Sequence, residues 1–248
     1  MPKPLAVQLY SVRDLLSADR SGVLRRLAAI GFGAVEPYDP CDDPEGLWRV
    51  LDDLGLEVCA SHAVGLVRGG DAAEIFDAVR TLGTELVIVP GGLPTENFAT
   101  ADGIARVADL LNEWAGAARG HGLRLGYHNH DHELRHRVDG RHALDVLADL
   151  LDPDVFLEVD TYWAAVGGAD VPALLSRHAG RVRLLHIKDG PAVLGEPNVA
   201  VGAGALPVAD YLATAPDAWR IVEFDTCATD LLAAIDDSYR HLAALEPV

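Results

Sequence analysis

Basic residues are scarce in this chain. Lys and Arg number 20 against 38 Asp and Glu, a formal net charge of −18. A surface this negative repels phosphate backbones and anionic lipid, which argues against nucleic acid and membrane surfaces as partners. Cysteine is rarer still. Cys41, Cys59 and Cys227 are odd in number and share no metal-type spacing, so a disulfide framework is not expected and a cytoplasmic, reducing location fits. No apolar run approaches the roughly 18 residues that span a bilayer. The stretch after Met1 is interrupted by Gln8 and Arg13 and lacks the apolar centre of a signal peptide. Walker loops and the GxGxxG, GxSxG, HExxH and CxxC patterns are all missing.

What is present is regular alternation. Aliphatic and β-branched runs at 5–10, 34–38, 56–62, 85–89, 123–130, 155–160, 182–189 and 220–225 read as eight strands. Amphipathic stretches lie between them, such as VLRRLAAIGF with apolar positions Val23, Leu24, Leu27 and Ile30. Eight units in 248 residues give about 31 residues per unit, a βα repeat length. Strands alternating with helices imply a parallel sheet covered on both faces. The expected fold is therefore α/β, a (β/α)8 TIM barrel, with residues 1–248 as a single domain. A doubly wound open sheet is the alternative, but the turn after the first strand, SVRDLL, lacks its Gly-rich fingerprint. One connection, 190–207, is rich in Gly and Pro and aperiodic. It follows the seventh strand, on the catalytic face of a barrel, and predicts a mobile lid around Gly195 to Gly204.

Polar residues collect at strand ends: Glu36, His62, His128 with Asn129 and His130, Glu158 with Asp160, His186 with Lys188 and Asp189, and Glu223 with Asp225. Side chains alternate faces along a strand. His128 and His130 share a face, as do Glu158 and Asp160, His186 and Lys188, and Glu223 and Asp225. The opposite parity is apolar: Leu157, Val159, Leu185, Ile187, Val222 and Phe224. Four successive strands thus aim acids and imidazoles at one interior mouth. Cys59 lies mid-strand, with a parity that points away from Glu36-type positions. Converging buried carboxylates repel, and a divalent cation resolves that repulsion as well as the cost of burial. Oxygen and imidazole donors without thiolate suit Mn²⁺, Mg²⁺, Co²⁺ or Zn²⁺. An ion-pair network built on Lys188 and the histidines is the competing reading. Trp163, three residues after Asp160, falls at the mouth, where it could stack on a sugar ring.

Taken in order, AVQLYSVRD, LAAIGFGAVEPY, CASH, YHNHDHEL, LEVDTYWAAVGGAD, RVRLLHIKDG and IVEFD resemble the xylose-isomerase-like TIM barrels, the sugar phosphate isomerase/epimerase family, over nearly the whole chain. The resemblance implies one metal ion held at the ends of strands five to eight, here by His128, Asp160, His186 and Glu223. It also implies substrate contacts from Glu36 and His62. Two positions depart from the family pattern: His128 stands where many relatives carry Glu, and Trp163 where epimerases commonly carry a substrate-binding His. The expected function is a divalent-metal-dependent sugar isomerase or epimerase acting on a keto-sugar through an enediolate. Glu223 is the candidate general base, and His130, Glu158 or Lys188 carries the second proton transfer. A lyase of the inosose dehydratase or 3-keto-glycoside type is the alternative. A catalytically degenerate sugar-binding or partner subunit is the non-enzymatic one. The expected partner is a small sugar or cyclitol, and a homo-oligomer is compatible with the family. Nuclease action on abasic DNA, found in the same superfamily, is opposed by the net charge.

Overall fold

A computed structural model describes residues 3–245. The β1 strand (Ala6–Gln8) is followed by a 3-10 turn and α1 (Arg13–Ile30), then β2 (Ala34–Glu36) and α2 (Pro44–Leu54). Two short pieces come next, β3 (Glu57–Val58) and β4 (Ser61–His62), then α3 (Val64–Val67), α4 (Ala72–Thr81), β5 (Leu86–Val89) and α5 (Ala101–Gly120). After β6 (Arg124–His128) and α6 (His132–Arg135), a small hairpin, β7 (Arg137–Val138) with β8 (Arg141–His142), leads into α7 (Ala143–Leu150). The chain ends with β9 (Phe156–Asp160), α8 (Thr161–Val166), α9 (Val171–Arg177), β10 (Val182–Ile187), α10 (Val208–Thr214), β11 (Trp219–Val222) and α11 (Leu231–Ala244).

The nine-stranded sheet runs β3-β2-β1-β11-β10-β9-β6-β5-β4, with every pairing parallel. Its edge pieces β3 and β4 are two parts of one chain segment, so the sheet curls into a near-closed barrel of eight strand positions, the expected TIM barrel in a single domain. No helix is long and apolar enough to cross a membrane among the described residues.

Alternation sorts side chains into two cores. Leu157, Val159, Leu185, Ile187, Val222 and Phe224 pack outward under the helices in the main apolar cluster, as the parity predicts. A smaller cluster fills the lower barrel interior: Ala6, Ala34, Cys59, Ala60, Ile88, Phe156, Leu184, Trp219 and Ile221. Gly126 belongs to this layer for a steric reason, since a Cβ there would lie 2.3 Å from the Phe156 ring.

Three local expectations change. The strands are shorter than their apolar runs. The first stops at Gln8 because its side chain accepts a hydrogen bond from Tyr10 N at 3.0 Å and turns the chain into 3-10 geometry. The third breaks at Cys59–Ala60, and the break puts Cys59 in the interior cluster rather than on the outer parity. The connection 190–207 is anchored rather than free. The buried Asp189 carboxylate accepts four backbone hydrogen bonds, from Gly190, Gly202, Gly204 and Leu206, at 2.8 to 3.2 Å. Asn198 adds a bond from Asp225 N at 3.1 Å, leaving the exposed tip at Val193 and Leu194 as the least restrained part.

Candidate active site

Parallel register places the interior polar residues side by side at the carboxyl ends of the strands. Gln8 pairs with Glu36, His128 with Glu158, and Asp160 with His186. Just past the strand ends lie Lys188, Glu223 and Asp225. Asn129 ties two of these ends together, its Oδ1 accepting from Asp160 N at 3.1 Å.

The result is one buried polar network. His186 is fully buried and stands at its centre, with Nδ1 2.6 Å from Glu223 Oε2 and Nε2 2.6 Å from Glu36 Oε2. Glu158 Oε2 lies 2.6 Å from His62 Nε2, 3.0 Å from His128 Nδ1 and 3.3 Å from His186 Nε2. The Lys188 ammonium, 1% exposed, meets Asp160 at 2.9 Å, Glu223 at 2.8 Å and Asp225 at 2.7 Å. Gln8 donates to Glu36 at 2.7 Å from below.

These contacts set the protonation states. Burial alone would lower the His186 pKa, but Glu158, Glu223 and Glu36 outweigh it and hold the ring well above its ordinary range, as an imidazolium. Burial likewise opposes the Lys188 charge, and its three carboxylates push it well above its usual value. Glu223 would be raised by burial, yet Lys188 and His186 hold it well below the carboxylate range. Glu158 is held low in the same way, by His186 and His62. Burial, then Glu158, raises Glu36 to about 7, and burial raises Asp160 to about 6 against the pull of Lys188. Burial, then His186, lowers His128 to about 4, and burial, then His128 and Lys188, lowers His130 well below its ordinary value.

A cavity of about 300 Å³ opens above the network. Its lining includes His62, His128, His130, Glu223 and Asp225, with Tyr10, Tyr38 and Asp39 on the rim. Glu36, Glu158, Asp160, His186 and Lys188 lie beneath this floor rather than on it. Trp163 is absent from the lining too. Its ring covers Lys188, with Nζ 5.5 Å from the centroid, and sits 6.3 Å from the His130 ring. His130 is backed by Gly91, whose φ of +77 and missing Cβ leave room for the imidazole.

The network contains two overlapping donor sets. Atoms of His128, Asp160, His186 and Glu223 all lie within 4.8 Å of one another, and so do those of His62, His128, Glu158 and His186. Glu158 Oε1 and Glu36 Oε1 are buried and accept no hydrogen bond, and Asp160 Oδ2 is met by the Lys188 ammonium at 2.9 Å. Imidazole nitrogens beside unsatisfied carboxylate oxygens match what a divalent cation requires. The sequence-derived quartet brings both donor types together, and an ion there would displace the proton that His186 carries between Glu223 and Glu36.

Two participants carry no role in the sequence reading. Gln8 has the interior parity of β1 and could have been found from it. Glu133, fully buried, accepts from Tyr127 Oη at 2.5 Å and from His130 N at 2.9 Å, holding the backbone of His130 in place. Its signal is its place within YHNHDHEL.

A sequence profile described as xylose isomerase-like TIM barrel matches residues 24–223, from α1 to Glu223. The chain belongs to the xylose isomerase-like TIM barrel family. Among members of this family, an inosose dehydratase from Geobacillus kaustophilus is 36% identical over 199 residues, covering 67% of this chain and 61% of that protein. The chain thus matches less than two thirds of that relative's length. A sugar phosphate isomerase/epimerase from Parabacteroides distasonis shares the fold at a TM-score of 0.83 and 21% identity, over 98% of this chain and 94% of the other. The IOLI protein, described with a bound zinc atom, is similar at a TM-score of 0.73 and 15% identity, over 98% of both chains. Xylose isomerase-like barrels similar to this one are thus sugar- and cyclitol-processing enzymes of more than one reaction type.

Proposed function

We propose that this protein is a divalent-metal-dependent enzyme that removes a proton from the carbon next to the carbonyl of a keto-sugar or keto-cyclitol. The observation that carries this reading is Glu223. It is the one carboxylate that both lines the cavity and belongs to the quartet with His128, Asp160 and His186. A barrel of the same fold described with a bound zinc atom supports a metal in this reading, without naming its ligands. An ion held there would supply Lewis acidity toward a carbonyl and its adjacent hydroxyl.

The chain's own residues account for the proton. Lys188 and His186 keep Glu223 ionised at neutral pH, so it is available as a base. His130 lines the same cavity as a neutral imidazole, able to take up or return a proton. Lys188, 2.8 Å from Glu223 Oε2, holds that carboxylate in place and ionised from beneath the floor. His62 reaches the substrate space directly, whereas Glu36 and Glu158 act on it through His62 and His186. Return of the proton to carbon gives isomerisation or epimerisation. Departure of a neighbouring hydroxyl as water, carrying the proton that Glu223 has taken from carbon, gives dehydration. The 36% identity to an inosose dehydratase favours this second outcome as the companion reading.

The test is Glu223→Gln, offered ketohexoses and inososes in deuterated buffer with a divalent ion. Loss of a positioned base costs roughly 10²–10⁴-fold in rate. Exchange of the substrate α-proton should fall by that factor while the fold persists. Exchange at the wild-type rate in a metal-loaded variant removes Glu223 as the base.

A further inference from the structure

A cavity of about 390 Å³ is enclosed by the β7–β8 hairpin, α7 and α9, and shares no lining residue with the cavity that holds Glu223. Its lining is Arg137, Gly140, Arg141, His142, Asp145 and Arg177. Three guanidiniums thus meet one carboxylate, in a chain whose formal net charge is −18. The hairpin is built to hold two of them. Asp139, with φ 50, and Gly140, with φ 79, form its two-residue turn, and this left-handed pair sets Arg137 opposite His142 and Val138 opposite Arg141. The base of the hairpin is tied to its neighbours on either side of α6. His136 O accepts from Ala143 N at 3.0 Å, and Leu134 O accepts from His142 Nδ1.

Each guanidinium is fixed by only part of its donor set. Arg177 Nη1 meets Asp145 at 2.5 Å. Arg141 Nη2 meets the exposed Asp149 at 2.7 Å and donates to Asp145 O at 3.2 Å. Arg137 Nη1 donates to Gly140 O at 2.9 Å, and its Nη2 lies 3.1 Å from His142 Nε2. Because His142 Nδ1 gives its proton to Leu134 O, Nε2 is the acceptor and the ring is neutral. Arg137 therefore has no carboxylate partner among the described residues. Three cations stand against Asp145 and Asp149, an excess of one positive charge. Arg141 Nη1 and Arg177 Nη2 make no hydrogen bond among the described residues, and about half of each side chain is open to solvent. Held in place on one side, these forks keep donors free for a ligand on the other.

We propose that this cavity binds a small phosphomonoester, at a site separate from the catalytic cavity. Guanidinium forks match phosphate oxygens and give them charge-assisted hydrogen bonds, often two from one side chain. A phosphate group here would meet the uncompensated charge of Arg137 and the free donors of Arg141 and Arg177. The volume is larger than the phosphate alone requires, and it leaves room for the carbon part of the ester. The inference does not depend on the enolising reading, since none of these residues lines the cavity of Glu223.

The experiment is calorimetric titration of the full chain at low ionic strength with glycerol 3-phosphate and with inorganic phosphate. The ester should bind at least as tightly as the inorganic ion. Arg137→Gln should weaken it by about tenfold or more, the loss of hydrogen bonds to a charged group. Arg137→Gln combined with Arg141→Gln should abolish binding. Replacing Arg137 strands no carboxylate, so the single variant should keep the wild-type Tm and the wild-type rate of α-proton exchange. Glu223→Gln should bind the ester as the wild type does, which separates this site from phosphate held on a metal in the catalytic cavity. Added salt should weaken the binding, because the donors are solvent-exposed. Affinity that survives both arginine changes, or that is lost with Glu223→Gln, overturns the inference. So does failure of the ester to bind, whether or not inorganic phosphate does.

Discussion

Asp145 shows how much one carboxylate outside the site contributes. It sits on α7 and joins α9, with Arg177 Nη1 at 2.5 Å and His178 Nε2 at 2.8 Å. Burial would raise its pKa, but the hydrogen bonds from His178 and Arg177 prevail and hold it at about 2. A carboxyl depressed on folding stabilises above its unfolded pKa and loses that contribution as pH falls through the folded value. Stability should therefore decline between about pH 4 and pH 2, by about 1–2 kcal/mol from this group after allowance for the exposed Arg177. Asp145→Asn should remove a similar amount at neutral pH and flatten the decline over the same window, as read by urea unfolding at several pH values. At the candidate site the buried polar residues were readable from parity wherever the pleat was unbroken. Alternation put His128, Asp160 and His186 on the interior face, with Glu223 near enough to the end of β11 to keep the register, while their grouping as one quartet came from the family resemblance. Cys59 was misread because the chain breaks beside it, and a parity rule presumes a continuous strand. Glu133 escaped because its partners, Tyr127 and the His130 amide, are contacts of a turn, which has no period.

Among the elements, the connection 190–207 departs most from what its composition suggests. Gly and Pro in aperiodic sequence signal freedom when nothing gathers the backbone. Here one buried carboxylate does, and its partners lie up to 17 residues away, out of reach of any local pattern. Asp189→Ala would strand four amide donors, each a loss on the order of 1 kcal/mol. Hydrogen exchange at Gly202, Gly204 and Leu206 should accelerate at least tenfold in that variant, while amides of β9 and β10 keep their rates. Unchanged protection of the three would mean the loop is held by its other contacts. The strands and helices were legible because covered parallel strands read as apolar runs and the helices carry one apolar stripe. Strand ends were overestimated because apolar and polar interior residues continue past the last ladder hydrogen bond into the mouth.

For the molecule as a whole, the proposed metal quartet draws on β6, β9 and β10 and the segment just after β11, adjacent staves of one barrel. An ion bound there is bound only by the folded state, so it should raise global stability by mass action. At a free concentration one hundred times its Kd the gain is about 2.7 kcal/mol. For a chain of 248 residues that is a rise in Tm of about 5–10 °C over a chelator-treated sample, measurable by scanning calorimetry. His186→Ala should abolish the rise, and a wild-type Tm indifferent to Mn²⁺, Mg²⁺, Co²⁺ and Zn²⁺ would remove the metal from the reading. The closure of the same barrel also has a consequence for synthesis. β1 is paired on one side by β11, with Val7 opposite Val222. On the ribosome the first strand must wait for the last, and at 5–20 residues per second the delay is roughly 10–40 s. Through that interval the acids and imidazoles assembled so far lack Glu223 and Asp225, and the apolar edge of β1 stands without its neighbour. The nascent chain is then most open to capture by chaperones, and a pause in translation anywhere between β1 and residue 219 should prolong that state, whereas a pause after β11 should not.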